Sequence, residues 1–261
     1  MSIANMDNKT GEKRMPKTAL QLYSIREIAE QDFYHALHVA KQAGYSGVEF
    51  AGFQGKEAGE TKKYINDLGL EAAGSHSGLS SIVDKFTETM EYNEEIGNKY
   101  VVVPYLSDQF HNVEGMKIAA EYLNIASADA KKYGISIGYH NHAFEFVEGP
   151  DGIRLFDVLA ENTSKDIILE IDTFWAVKGG VDPVEYCRKY ADRLKLVHFK
   201  DITPDGNDTE VGKGCIDFKS ILKSSEVIEW CIMEQEKYNM PMEQSIAISC
   251  DYMKGLLFDR A

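Results

Sequence analysis

Eight times along the chain a short β-branched or apolar run gives way to a segment of helical spacing, and this alternation limits the fold more than any other feature. The runs lie at 18–23, 46–50, 70–75, 100–104, 135–141, 166–172, 194–200 and 228–235. Between them Phe33, Leu37 and Ala40 recur at a helix period, as do Ile82, Phe86 and Met90, and Met116, Ala120 and Leu123. Four helical segments run into a glycine before the next strand, at Gly44, Gly69, Gly97 and Gly134, where a left-handed residue commonly ends a helix. Asp182-Pro183 reads as an N-cap with proline at the first helical position, and Asp217 as the cap of a short helix from Phe218. Strands separated by helices pair in parallel, which leaves a closed barrel or an open doubly wound sheet. The open sheet usually carries a glycine-rich turn after its first strand. Here Gln21 to Arg26 contains no glycine. With eight strands and no linker or composition break, the expected fold is α/β: a single (β/α)8 TIM-barrel domain over 17–261, after a loose tail at 1–16.

The chain of 261 residues suits such a barrel and needs no disulfide to bury a core. Its formal charge of −14, with no basic patch, argues against nucleic acid and against an anionic membrane surface. No apolar run approaches the roughly 20 residues that cross a bilayer. The first sixteen residues lack the apolar stretch of a secretory signal, so a cytoplasmic location is expected. Cys187, Cys215, Cys231 and Cys250 form no CxxC pair, which speaks against a zinc knuckle or a redox motif.

In TIM barrels the reactive groups gather at the C-terminal ends of the strands. Strand three ends in Ser75-His76, strand five in Tyr139-His140-Asn141-His142 and strand six in Glu170-Ile171-Asp172. Strand seven ends in His198-Phe199-Lys200-Asp201 and strand eight in Glu234-Gln235-Glu236. Side chains alternate faces along a strand. With Ile137, Tyr139, Leu169 and Ile171 facing the helices, His140, His142, Glu170 and Asp172 point inward. His198 shares a face with Lys200, and Glu234 with Glu236. Any one of these alone reads as a hydrogen-bonded group at a strand end. Five strands supplying them together would place mutually repelling, desolvated charges at one mouth, which a divalent cation would resolve. Mixed histidine and carboxylate ligands suit manganese, cobalt, zinc or magnesium. Trp175 reads as a loop aromatic able to stack on a sugar face. Val211-Gly212-Lys213-Gly214 is too short for a phosphate loop and reads as a turn. Gln21 and Glu49 sit at the ends of strands one and two.

The segments LQLYSIR, GYSGVEFAG, YHNHAFEF, LEIDTFWAVKGG, HFKDI and GKGCIDF together resemble the xylose isomerase-like TIM-barrel superfamily of sugar isomerases and epimerases. The nearest branch includes sugar phosphate isomerases/epimerases and resembles inosose dehydratases. The resemblance spans about residues 17 to 256. It implies one divalent metal held from strands five to eight. By position Asp172, His198 and Glu234 match three of the ligands. The strand-five ligand is usually glutamate, and here the stretch reads His140-Asn141-His142, so either His140 binds the metal or Glu145 reaches back to it. Glu234, His140, Glu145 and Lys200 are the expected catalytic groups. Gln21, Glu49, His76, His142, Trp175 and Glu236 are expected to contact substrate.

The resemblance implies an isomerase or epimerase that removes a proton beside the carbonyl of a keto sugar or polyol derivative. The alternative is a dehydratase or lyase acting on a keto-inositol or 3-keto sugar. A nuclease like endonuclease IV, which shares the fold, would need a basic face, and a sugar-binding module would need to have lost its ligands. The expected partner is a small carbohydrate, and a homo-oligomer is compatible with the sequence. Lys178, Lys200 and Lys213 are the lysines near the mouth, and no phosphate cradle is evident, so a neutral substrate is expected.

Overall fold

The computed structural model describes residues 15–149 and 152–258. The expected tail at 1–16 lies outside these residues except for Met15 and Pro16. Eight parallel strands close into a barrel: β1 (Lys17–Gln21), β2 (Gly47–Phe50), β3 (Glu71–His76), β4 (Tyr100–Val103), β5 (Ser136–His140), β6 (Ile168–Asp172), β7 (Leu196–Phe199) and, after a small hairpin, β10 (Trp230–Met233). β1 pairs with both β2 and β10, which closes the ring. The hairpin, β8 (Asp201–Ile202) with β9 (Asp208–Thr209), is antiparallel and stands outside the barrel sheet. The sequence pattern does not show it, since each arm has two residues.

The strands bury both faces. Inward, Ala19, Ala73, Tyr100, Val102, Ile168, Leu196, Trp230 and Ile232 pack into an apolar plug. Outward, Ile137, Tyr139, Leu169, Ile171 and Val197 join the larger core beneath the helices. The polar strand ends stand on that plug. Between β2 and β3 the register slips, so that Val48 opposes Ala72 but Glu49 opposes Gly74. A Cβ on Gly74 would lie 2.6 Å from Glu49 Oε1, so glycine here leaves space for a buried carboxylate.

The helix over Val113–Ala130 buries Met116, Ala120 and Leu123 completely, and the helix over Phe33–Gln42 buries Phe33, Leu37 and Ala40. Gly44, Gly69, Gly97 and Gly134 all adopt positive φ. The side chains of Asp182 and Asp217 accept hydrogen bonds from Val184 N and Ser220 N, capping the helices Pro183–Lys189 and Phe218–Ser224. The spacing of Ile82, Phe86 and Met90 spans a break: two helices, Leu79–Asp84 and Phe86–Glu95, meet at Lys85 with φ −124° and ψ 31°. A four-residue apolar step is the same on both sides of such a break, so the pattern does not show it. The stretch Val211 to Gly214 is a turn gathered around Asp201, whose carboxylate accepts from the backbone N–H of Gly212, Gly214 and Ile216. Cys187, Cys231 and Cys250 are buried, Cys215 is exposed, and no two of them form a disulfide. Among the described residues no helix is long and apolar enough to cross a membrane.

Candidate functional site

The polar strand ends form two tiers. The deeper one joins β1, β2, β3 and β6. Gln21 Nε2 donates to Glu49 Oε2 at 2.7 Å and lies 3.3 Å from His76 Nδ1. His76 Nε2 stands 2.8 Å from Glu170 Oε2 and 3.3 Å from Glu49 Oε2. The upper tier takes one ligand atom each from His140, Asp172, His198 and Glu234, all within 4.8 Å of one another. Four donors about 2.0–2.2 Å from one ion would stand roughly 3–4 Å apart, so little movement would close this set around a cation.

A second set, His76, His140, Glu170 and His198, is equally compact. The imidazole nitrogens decide between them. A metal-bound histidine usually turns its other nitrogen to a carboxylate, which fixes the ring. His140 Nδ1 is 3.1 Å from Glu170 Oε2, leaving Nε2 for the upper tier. His198 Nε2 is 2.7 Å from Glu49 Oε2, leaving Nδ1. That Nδ1 lies 2.8 Å from Glu234 Oε2 and 3.9 Å from Asp172 Oδ2, yet neither it nor Asp172 Oδ2 has a hydrogen-bond partner although both are buried. Atoms so placed face a common point without satisfying each other. The upper set therefore fits a divalent ion, with Glu49 and Glu170 orienting its two histidines.

Local sequence sets this up. Asp172 caps the helix Thr173–Lys178, its Oδ1 accepting from Trp175 N at 2.8 Å, so one carboxylate oxygen is fixed and the other is free. Asn141 ties β5 to β6 through Asp172 N and O, at 3.0 and 3.3 Å. Trp175 thus sits on a short helix rather than in the expected loop.

Charge is balanced within the two tiers. Burial pushes Asp172 up to about 7, against the pull of Lys200. Burial and the neighbouring Glu170 raise Glu49. Burial opposes ionisation of Glu170, but His198, His140 and His76 outweigh it and hold its carboxyl well below the usual range. Burial also opposes the charge on His198, yet the carboxylates of Glu170 and Glu49 keep it well above the ordinary value. His140 is pushed down to about 3 by burial and by His198, and is neutral, as a ligand imidazole must be. Lys200 is buried but stays protonated, because Glu234, Asp172 and Glu236 outweigh desolvation. Its Nζ donates to Glu234 Oε1 at 3.0 Å and to Glu236 Oε1. A lysine so held acts as a fixed cation and not as a nucleophile.

Above these tiers opens a cavity lined in part by His76, His140, His142, Trp175, Glu234 and Glu236. Lys200 Nζ stands 4.9 Å from the Trp175 ring centre and occupies one face. The Trp175 Nε1–H is buried and unpartnered, as is His142 Nδ1. Burial lowers His142 to about 4, so it is neutral. Trp175 thus carries an unpartnered N–H, and its ring is approached by Lys200 and by the His142 ring, whose centre is 5.4 Å away. Gln21 and Glu49, placed by sequence among the substrate contacts, lie fully buried in the deeper tier beneath the upper one. Glu170 was missed as a site residue. Its inward direction was readable, but its position among three histidines depends on bringing His76 from three strands away.

Glu145 requires a correction. It does not reach back to the mouth. Oε1 accepts from Tyr139 Oη at 2.6 Å and Oε2 from His142 N at 2.9 Å. Tyr139 faces the helices, so the carboxylate is drawn out of the barrel interior, and it belongs to neither metal cluster. Burial raises Glu145 to about 7 from an ordinary 4.5. An acid raised in this way favours the fold most below its unfolded value and loses that contribution as pH rises through the folded value. Between about pH 5 and 8, Glu145→Gln should therefore gain on the parent chain by on the order of 3 kcal/mol in urea unfolding. Parallel pH profiles for the two proteins would contradict this.

The model of the xylose isomerase-like TIM barrel matches residues 37–256. An inosose dehydratase of Clostridium beijerinckii is 27% identical over 254 residues, covering 80% of this chain and 83% of that protein. A sugar phosphate isomerase/epimerase from Parabacteroides distasonis superposes with a TM-score of 0.80 at 26% identity, covering 97% of this chain and 98% of that one. The IOLI protein, solved with a bound zinc atom, superposes with a TM-score of 0.73 at 17% identity over 93% of this chain and 98% of its own, a likeness of fold. With more than half its length matched by that model, the chain belongs to the xylose isomerase-like TIM-barrel family.

Proposed function

We propose that this protein is a divalent-metal-dependent dehydratase that eliminates water from a cyclic sugar or polyol bearing a ring ketone. The observation that carries the reading is the imidazole wall opposite Glu234. β5 presents His140 and is followed by His142, while the carboxylate of that segment, Glu145, is turned away. β5 and β10 stand three places apart around the eight-stranded ring, so the groups they carry face one another across the mouth. Reversible epimerisation is served by like groups on the two ring faces, whereas a carboxylate facing a histidine suits a directional step. The inosose dehydratases among its relatives support the same choice.

His140, Asp172, His198 and Glu234 would hold the ion, and the zinc bound to the IOLI protein supports a metal in this fold. Bound there, manganese, cobalt, zinc or magnesium would polarise the ketone and acidify the neighbouring C–H bond. The residues of the chain do the rest. Lys200 and His198 outweigh burial and keep Glu234 ionised, ready to accept the carbon proton. His142, being neutral, donates a hydrogen bond to the departing hydroxyl. One C–H and one C–O bond break, a C=C bond forms and one water leaves. The proton that Glu234 takes from carbon passes to the departing hydroxyl, which leaves as water, and the carboxylate is restored. Trp175 Nε1–H orients a ring oxygen, and Lys200 fixes Glu236 at the rim. The substrate is a neutral carbohydrate, since the lysine at the site is already neutralised by Glu234 and Glu236.

His142→Ala should lower kcat on a keto-inositol about 10²-fold, the range for removing one positioned hydrogen-bond donor at a developing charge, with metal content unchanged. Unaltered kcat in a metal-replete variant would remove His142 from the mechanism. Epimerisation is the second reading, supported by the likeness to the Parabacteroides isomerase/epimerase along nearly the whole chain.

A further inference from the structure

The cavity above the metal ligands is larger than one sugar ring. It encloses about 690 Å³. A hexose of twelve non-hydrogen atoms displaces roughly six waters, on the order of 180 Å³ at ~30 Å³ each. The groups of the proposed chemistry line only one end. From there the cavity runs on between the segment after β2 and the helices Leu79–Asp84 and Phe86–Glu95, past Phe53, Ser81, Lys85, Glu88, Thr89 and Tyr92.

This arm has a built wall. Phe53 and Tyr92 stack with centroids 4.0 Å apart and planes 30° apart. The Tyr92 hydroxyl donates to Lys56 O at 3.0 Å and is 2.9 Å from Thr61 Oγ1, which fixes the pair. Around the wall stand hydroxyls from Ser81 and Thr89 and one charge of each sign, Lys85 and Glu88. The stacked rings cover each other's inner faces, and the aromatic surface they leave to the cavity, edged by the Ser81 hydroxyl and by Thr89, whose hydroxyl donates to Ser81 O, suits the apolar face and the hydroxyl rim of a pyranose. The opposed charges of Lys85 and Glu88 cancel, so the arm gives no preference for a phosphate or carboxylate.

We propose that this arm is a second sugar subsite, and that the substrate is a disaccharide or glycoside whose neutral second ring lies against Phe53 and Tyr92. Which ring enters the metal end rests on the dehydratase reading, and the existence of the arm does not.

Two probes that share a reacting ring with a free hydroxyl at C1, β to the ketone, test it: 3-keto-glucose, and the disaccharide in which that ring carries a glucosyl group on O6. Calorimetry on the metal-loaded protein should give a Kd at least about tenfold lower for the disaccharide, with a matching preference in kcat/KM. Ser81→Trp, which fills the arm, should abolish the preference. Phe53→Ala removes half of the wall without adding bulk, should reduce the preference several-fold, and serves if the tryptophan variant fails to fold. Equal affinity for the two probes, or a preference that survives both substitutions, would overturn the subsite. A tenfold preference in binding without turnover of either probe would defeat the proposed elimination and leave the subsite standing.

Discussion

Replacing His198 with alanine should lower divalent-metal affinity by at least about 100-fold, the upper range seen on disturbing a metal site's supporting shell, and should also destabilise the metal-free protein. His198 links both tiers. Its Nδ1 faces Asp172 and Glu234, and its Nε2 bonds Glu49. The substitution removes a ligand and at the same time strips Glu49 and Glu170 of a cationic neighbour while both remain fully buried. Breaking a buried ion pair from one side costs about 3–5 kcal/mol. Asp172→Asn isolates the ligand effect, because the asparagine oxygen can still cap Trp175 N. It should lower metal affinity at least about tenfold with a smaller change in stability. Metal titration and urea unfolding of both variants check this. Unchanged affinity in both would reject the upper tier as the metal centre.

Much of the barrel was readable from the order of its parts. Short strands and helices in strict alternation leave few topologies, and the glycines at 44, 69, 97 and 134 mark helix ends because their backbones adopt positive φ. Facing direction was also readable along β5, β6, β7 and β10, since period-two alternation is a local property. What depends on distant chain segments was hidden. The register slip opposite Gly74 lets Glu49 enter the interior, and no pattern within β2 or β3 announces it. Glu145 lies five residues beyond His140 and seemed within reach of the mouth. Its partner Tyr139 lies on the opposite face of the same strand, and a hydrogen bond to that hydroxyl outweighs sequence proximity. Glu170 shows the same limit in reverse. A lone inward carboxylate looks ordinary until the closed sheet places His76, His140 and His198 around it. Nor does sequence say which nitrogen of a histidine is free, and here that distinction separates the two candidate metal sets.

The second large effect expected is loss of the reaction on metal removal, and it is read most directly in deuterated water. The metal is assigned several kcal/mol of charge stabilisation in the transition state, so chelator-stripped protein should lose at least about 10³-fold in rate and regain it on adding one equivalent of ion. Metal-loaded protein incubated with a keto-inositol or a 3-keto sugar in deuterated water should form an unsaturated ketone lighter than the substrate by one water. That product should be absent from the stripped sample. An epimer carrying one deuterium at the former C–H position, with no unsaturated product, would contradict elimination and establish proton transfer between ring faces instead.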